Sequence, residues 1–225
     1  MKKYSILLFL LTLSFGMTAQ KTQEQAASTS SNKHAIGLGV GTGIALDYSY
    51  KINDRFSVSS RFNMLAYSVE EMEEEIDGQN ILIDADVDFK NIDIFFSYYP
   101  FKTSFRLIGG VGYFTDNSLN IDLSFDEKVT IGEVDFTPDQ VGKITIDNKW
   151  QQIAPYAGFA FGRAVTNSKF GFAMELGTYF SGAPEVSLDA TGIIENTKNQ
   201  ESLLQESFSE LKFTPYLSLR LSYSI

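Results

Sequence analysis

From Ala35 onward, apolar side chains recur at every second position, which is the repeat of an extended strand. The alternation occupies eight runs: 35–42, 44–52, 55–68, 80–99, 104–115, 150–163, 169–181 and 213–224. Their connections are of two kinds. Asn53-Asp54, the segment 100–103 with Pro100 and the segment 165–168 with Asn167 read as tight turns, and the join at Thr42-Gly43 is shorter still. Between them come long polar connections at 69–79, 116–149 and 182–212. A chain of this kind is restricted to antiparallel β architectures with tight turns at one end and long loops at the other.

The two phases of the alternation differ in chemistry. One phase reads Ile36, Leu38, Val40, Ile44, Leu46, Tyr48 and Tyr50, and continues with residues such as Ile92, Ile94, Phe96, Phe170, Phe172, Met174, Leu217, Leu219 and Leu221. No charge appears among the 31 central strand positions of this phase, which run from Ile36 to Tyr223. The opposite phase is rich in small residues, among them Gly37, Gly39, Ala45, Ser49, Ser57, Ser59, Gly110, Gly112, Gly158, Ala160 and Gly171. A water-soluble barrel would turn its apolar phase inward and show Lys and Glu outside, with no use for glycine there. A narrow eight-strand lumen must instead hold small side chains and a few polar ones. The small phase is therefore the inside, and the apolar phase meets lipid.

The expected fold class is all-β, an eight-stranded antiparallel transmembrane β-barrel with periplasmic turns, long extracellular loops and one short loop helix. Closure satisfies every strand's backbone groups inside the bilayer. Tyr50, Phe56, Tyr98, Phe105, Phe170 and Tyr223 fall near the short turns, where an interfacial aromatic girdle belongs.

Charges on the inward phase are few: Asp47, Asp93 and Glu175 against Arg61, Arg106 and Arg220, with Lys51 nearer a turn. Buried charges need partners, so these six predict a salt-bridge network that fills the lumen. A narrow ion path is the alternative. Glu70, Glu71, Glu73, Glu74 and Glu75 make an acidic run, followed by Asp84, Asp86 and Asp88 at alternate positions. These read as a solvated rim, with divalent-cation binding by Asp84, Asp86 and Asp88 as the sharper expectation. The aspartates alternate with Ile83, Ala85, Val87 and Phe89, whose phase is opposite to that of Ile92, and a β-bulge near Lys90–Asn91 would reconcile the two. Alternation inside 116–149 predicts strands that rise above the membrane and an extra hairpin. Leu203, Leu204, Phe208 and Leu211 predict a helix within Thr197–Lys212, with Thr197 and Gln200 as a capping box, acting as a lid, a plug or a packed loop.

Composition removes most chemistry. The chain of 225 residues has no cysteine and a single histidine, so thiol chemistry is excluded and a Ser/His or Asp/His constellation is not expected. The run from Gly37 to Gly43 lacks the spacing and the following helix of a phosphate-binding loop. A net charge of −10 argues against nucleic acid as a partner. Residues 1–19 have the form of a signal peptide: Lys2 and Lys3, the apolar run Ile6–Leu13, then Ala19. Losing it leaves 16 basic against 28 acidic residues, a net of −12. Residues 20–34, ending at His34, read as a flexible tail before a barrel at 35–225.

Several segments resemble known proteins: Tyr99-Pro100-Phe101 followed by Phe105-Arg106-Leu107 and Gly109, Ala154-Pro155-Tyr156 with Gly158, Gly182 to Leu188, and Pro215 to Leu219. With them the chain resembles small outer-membrane β-barrels of Gram-negative bacteria, in the OmpA/OmpX-like eight-strand class and an uncharacterised family within it. The C-terminus departs from the usual terminal aromatic, since Tyr223 is third from the end. The resemblance implies a monomer in the outer membrane, surrounded by lipid and lipopolysaccharide and inserted by the barrel-assembly machinery. The expected role is non-enzymatic, structural or surface-interacting, without a cofactor or a bound metal; the alternative is a narrow porin-like channel for small solutes or ions.

Overall fold

The computed structural model describes residues 32–76, 79–131 and 134–225. The signal peptide and residues 20–31 of the expected tail lie outside them. In chain order the elements are β1 (His34–Gly41), β2 (Gly43–Lys51), β3 (Phe56–Ile76), β4 (Gln79–Tyr98), β5 (Phe105–Phe125), β6 (Val129–Ile131), β7 (Val134–Phe136), α1 (Pro138–Val141), β8 (Ile144–Lys149), β9 (Ile153–Phe161), β10 (Phe170–Tyr179), β11 (Glu185–Ala190), a 3-10 segment (Gly192–Gln200), α2 (Glu201–Phe208) and β12 (Thr214–Ser224). Eight of the strands close a ring in the order β1-β2-β3-β4-β5-β9-β10-β12, with β12 antiparallel to β1 from Ala35↔Ser224 to Gly41↔Ser218. This is the expected antiparallel barrel.

The phases sort as the alternation requires. Along the wall Leu38 is 55% exposed, Ile44 58% and Phe172 63%, while the residues between them point inward and are buried. A continuous apolar surface of this extent is unstable in water and correct in hydrocarbon. Aromatic pairs near the short turns form the girdle, as in Phe56–Tyr98 and Phe170–Tyr223. One consequence is measurable. Leu219→Arg, on the outward face of β12, is expected to destabilise the barrel by about 2–4 kcal/mol in lipid vesicles. Urea titration of the folded band on a cold gel reads it, and an unchanged midpoint would contradict a lipid-facing Leu219.

Above the membrane the polarity of the sheet inverts. The β4–β5 pairing shifts register between Lys90 and Asn91, where Thr115 of β5 is the extra residue. The irregularity sits at the expected height, but on the partner strand. The alternation of β4 therefore continues unbroken: Asp84, Asp86 and Asp88 share the outer phase with Ile92, and Ile83, Ala85, Val87 and Phe89 share the inner one. The physical reason is solvent. Below this level the outer face meets lipid, and above it the outer face meets water. Lys90 marks the boundary, with Nζ 3.4 Å from Asp88 and 3.2 Å from Asp116.

The extracellular part differs from the sequence expectation in three places. Residues 69–79 are not a long loop: β3 and β4 stay paired to Ile76↔Gln79, past a bulge between Val69 and Met72. Their Glu-rich composition suits a solvated strand held by its partner. Segment 182–212 contains an additional strand, β11, paired with β8. Thr197 and Gln200 form no capping box, because Thr197 lies inside the 3-10 segment and Gln200 caps α2 without a side-chain hydrogen bond. As expected, 116–149 provides the upper part of β5, the β6–β7 hairpin and β8. Finally, Asn32 and His34 are held in place: Asn32 Nδ2 donates to Thr166 O at 3.1 Å, and the exposed His34 ring lies 2.6 Å from the Tyr48 hydroxyl.

Candidate functional site

The lumen is crossed by tiers of polar side chains. Nearest the short turns, Lys51 Nζ lies 2.9 Å from Asp54, which holds that exposed turn carboxyl below its ordinary range. Tyr99 and the segment around Ala164 and Val165, all buried, close this end, and the Tyr99 hydroxyl accepts from Ala164 N–H at 2.9 Å. Arg163 stacks 4.3 Å over the Tyr99 ring and donates to the carbonyls of Asp54, Lys102 and Thr103, so one side chain ties three turns together.

The next tier is a two-pronged pair: Arg220 Nε and Nη2 each donate to Asp47 at 2.6 Å. Arg220 and Asp47 lie on β12 and β2, so the pair spans β1 between them. Gly37 of β1 makes this possible, because a Cβ there would collide with Arg220 Nε and Asp47 Oδ1. Above it, Glu175 collects three donors: Arg61 Nη2 at 2.8 Å, Arg106 Nη2 at 3.5 Å and the Tyr156 hydroxyl at 2.8 Å. The Arg61 guanidinium also sits over the Phe95 and Tyr216 rings, at 4.6 and 4.9 Å. In register Arg61 stands beside Asp47 and Asp93, yet it reaches across the lumen to the opposite wall.

Asp93 is held by neutral donors, Asn91 Nδ2 at 2.6 Å and the Tyr179 hydroxyl at 2.9 Å. Among the described residues it forms no salt bridge. The six inner charges are thus within one lumen, but two arginines share Glu175 and Asp93 has none. Periodicity alone did not single out Tyr156, Tyr179, Tyr216, Asn63 and Asn91. Their signal was available, since all five fall on the inward phase of their strands.

Asp84, Asp86 and Asp88 sit on the outer face of β4, each with a protein partner. Asp84 accepts from Glu71 N–H at 2.7 Å, anchoring the β3 bulge where Glu71 has φ 54°; Asp86 accepts from the Ser68 hydroxyl, and Asp88 faces Lys90. No three carboxylates converge among the described residues. The helical segment neither plugs nor covers the lumen. It lies along β11, whose edge N–H groups at Val186 and Leu188 donate to Gln205 Oε1 and Glu201 Oε2, both at 3.0 Å. Sheet edges left open invite pairing with other chains, and α2 closes this one. Leu204 and Phe208 are half-buried, whereas Leu203 and Leu211 remain exposed.

Among solved structures, the chain is similar to Acinetobacter baumannii CarO, with a TM-score of 0.57 and 20% identity over 86% of this chain and 97% of that one. Acinetobacter baumannii CarO2 aligns at TM-score 0.59 and 19% identity, over 86% and 98%. A major outer membrane protein from Thermus thermophilus aligns at TM-score 0.44 and 12% identity, over 86% and 98%. No family model and no curated protein matches the sequence. The likeness to CarO and CarO2, at these identities, is one of fold, and the fold is that of small outer-membrane β-barrels. Together with the lipid-facing belt, it makes this chain an outer-membrane barrel.

Proposed function

We propose that the protein is a non-enzymatic barrel whose closed lumen anchors an extracellular β-sheet with a surface-interaction role. The observation that supports this is the succession of buried ion pairs inside the barrel. Glu175 with Arg61 and Arg106, the Asp47–Arg220 pair, and the floor of Tyr99, Ala164 and Val165 succeed one another along the axis. A solute or ion moving through must break buried, charge-assisted hydrogen bonds at each tier. The extracellular sheet β3-β4-β5-β8-β11 supplies the other half of the proposal, because it is an extended surface raised above the membrane. The single histidine of the chain faces outward beside Tyr48, which supports a role without acid–base catalysis. We take the chain to be a monomer, delivered by its N-terminal signal, inserted by the barrel-assembly machinery and surrounded by lipid and lipopolysaccharide.

Planar-bilayer recording tests the closed lumen. The full chain is expected to give no steady step above the bare bilayer. A stable conductance from the unmodified protein would overturn closure in favour of a narrow channel for small solutes or ions.

A further inference from the structure

The short turns carry a charge opposite to that of the chain as a whole. Segments 52–55, 99–104 and 162–169 hold Arg55, Lys102, Arg163 and Lys169 against one acidic residue, Asp54. That carboxylate is already engaged: Lys51 first, then Arg163 and Lys102, hold it below its ordinary range, which gathers three cations around one turn. Main-chain bonds bring Arg55 to the same place. Its N–H donates to Asn53 Oδ1 at 2.8 Å, and its carbonyl accepts from Tyr99 N–H at 2.8 Å. Arg163 in turn donates to the Lys102, Thr103 and Asp54 carbonyls, at 3.1, 3.1 and 2.9 Å, and so is bonded to neutral oxygens. Among the described residues Arg55, Lys102 and Arg163 form no salt bridge. The result is a positive cluster built from three turns.

The neighbouring rings set its depth. Arg55 precedes Phe56, whose ring stacks on that of Tyr98 at 5.2 Å, and Lys102 follows Phe101, whose ring lies 6.3 Å from that of Phe105. Phe101 is 72% exposed at its turn, a placement that suits a membrane interface and not open water. A cation one residue from such a ring has its head at the level of the lipid phosphates. A soluble anion would leave these rings in water, so the rings favour lipid as the source of the negative charge.

We propose that Arg55, Lys102 and Arg163 form a periplasmic headgroup site that takes the phosphate of an anionic phospholipid in preference to that of a zwitterionic one. Arg163, held by three carbonyls, is the fixed centre, and the exposed Arg55 and Lys102 reach the phosphate from the neighbouring turns. A zwitterionic lipid brings the same phosphate with an ammonium that the cluster repels. The site stands apart from the closed lumen and the extracellular sheet, and it adds a lipid preference to the role proposed above.

Native mass spectrometry provides the test. The full-length barrel is released from detergent micelles containing equal amounts of phosphatidylglycerol and phosphatidylcholine, and the retained lipids are counted. Phosphatidylglycerol is expected to be retained at least about tenfold more than phosphatidylcholine, on the scale of about fivefold for each cation near a headgroup. The double change Arg55→Gln with Lys102→Gln should bring the two lipids within about twofold. Both side chains are exposed, so the folded band on a cold gel should persist in that variant. Lys149→Gln, on the extracellular strand β8, should leave the preference unchanged. Equal retention of the two lipids by the unmodified barrel, an undiminished preference in the double variant, or an equal loss in Lys149→Gln would overturn the site. Glycerol 3-phosphate, compared with sodium chloride at the same ionic strength, should not displace the lipid. Displacement would assign the cluster to a soluble anion and overturn the lipid assignment.

Discussion

Glu175→Ala is expected to destabilise the barrel by about 3–5 kcal/mol, the cost of stripping a buried ion pair of one partner. The carboxylate receives Arg61, Arg106 and the Tyr156 hydroxyl, and all four side chains are buried. Removing it leaves two guanidiniums facing one another with no counter-charge between them. Arg61 Nη1 and Arg106 Nε are already without partners among the described residues, and the one other side-chain hydrogen bond of the two arginines is that from Arg106 Nη1 to the Ser97 hydroxyl, at 2.9 Å. Urea titration of the folded gel band in vesicles measures the loss. Pairing the change with Arg61→Leu should recover part of it, because one of the orphaned charges is removed with its partner. A Glu175→Ala barrel within about 1 kcal/mol of the parent would mean that the tier is not a coupled network.

Gly37→Ala is expected to cost about 3 kcal/mol or more, from overpacking and from loss of a buried pair. One methyl group is enough, since the added carbon would occupy the space of Arg220 Nε and Asp47 Oδ1. Both charged side chains are buried, and Arg220 is also held by the Ala164 carbonyl at 3.1 Å and the Ser49 hydroxyl at 3.3 Å, so moving aside would break those bonds as well. The damage falls on β1, the strand that closes the ring against β12. Gly109→Ala is the matched control: a Cβ there meets nothing within 4 Å, and the position faces outward. It should shift the urea midpoint by no more than about 0.5 kcal/mol. Equal effects at the two positions would show that glycine acts through backbone freedom rather than through space for the Arg220–Asp47 pair.

Much of this architecture was legible in the sequence because a membrane barrel enforces its period at every residue. Leu38, Phe172 and Leu219 have to face lipid, and Gly37 and Gly171 have to face a crowded lumen, so local chemistry reports global position. Legibility fell where the solvent changed. The phase of Val87 and Phe89 looked wrong against Ile92 only on the assumption that hydrocarbon lay outside both. The glutamates of 70–75 looked like a loop because their strand is held by pairing to β4, not by propensity. In β11, Val186, Leu188 and Ala190 did carry a two-residue period, but over only six residues. The pairing of the inner charges was out of reach for a different reason. Arg220 and Asp47 are 173 positions apart, and only closure of the ring brings them together. Arg61 ignores its two register neighbours for a carboxylate on the far wall, a choice set by the lengths of side chains across a lumen.

Strand β5 belongs to two sheets at once. From Phe105 to Tyr113 it is barrel wall against β9, and from Ser118 to Leu123 it is bonded to β8 in the sheet outside. Between the two lies only the Thr115 bulge, with no hinge loop and no break in the chain's extension. Whatever tugs on β8 and β11 from the medium therefore pulls on the same backbone that descends past Gly112, where a missing side chain leaves room for Asp93 and Tyr179. In mechanical terms the outer sheet is a mast stepped into the hull, and its load path ends among the innermost carboxylates.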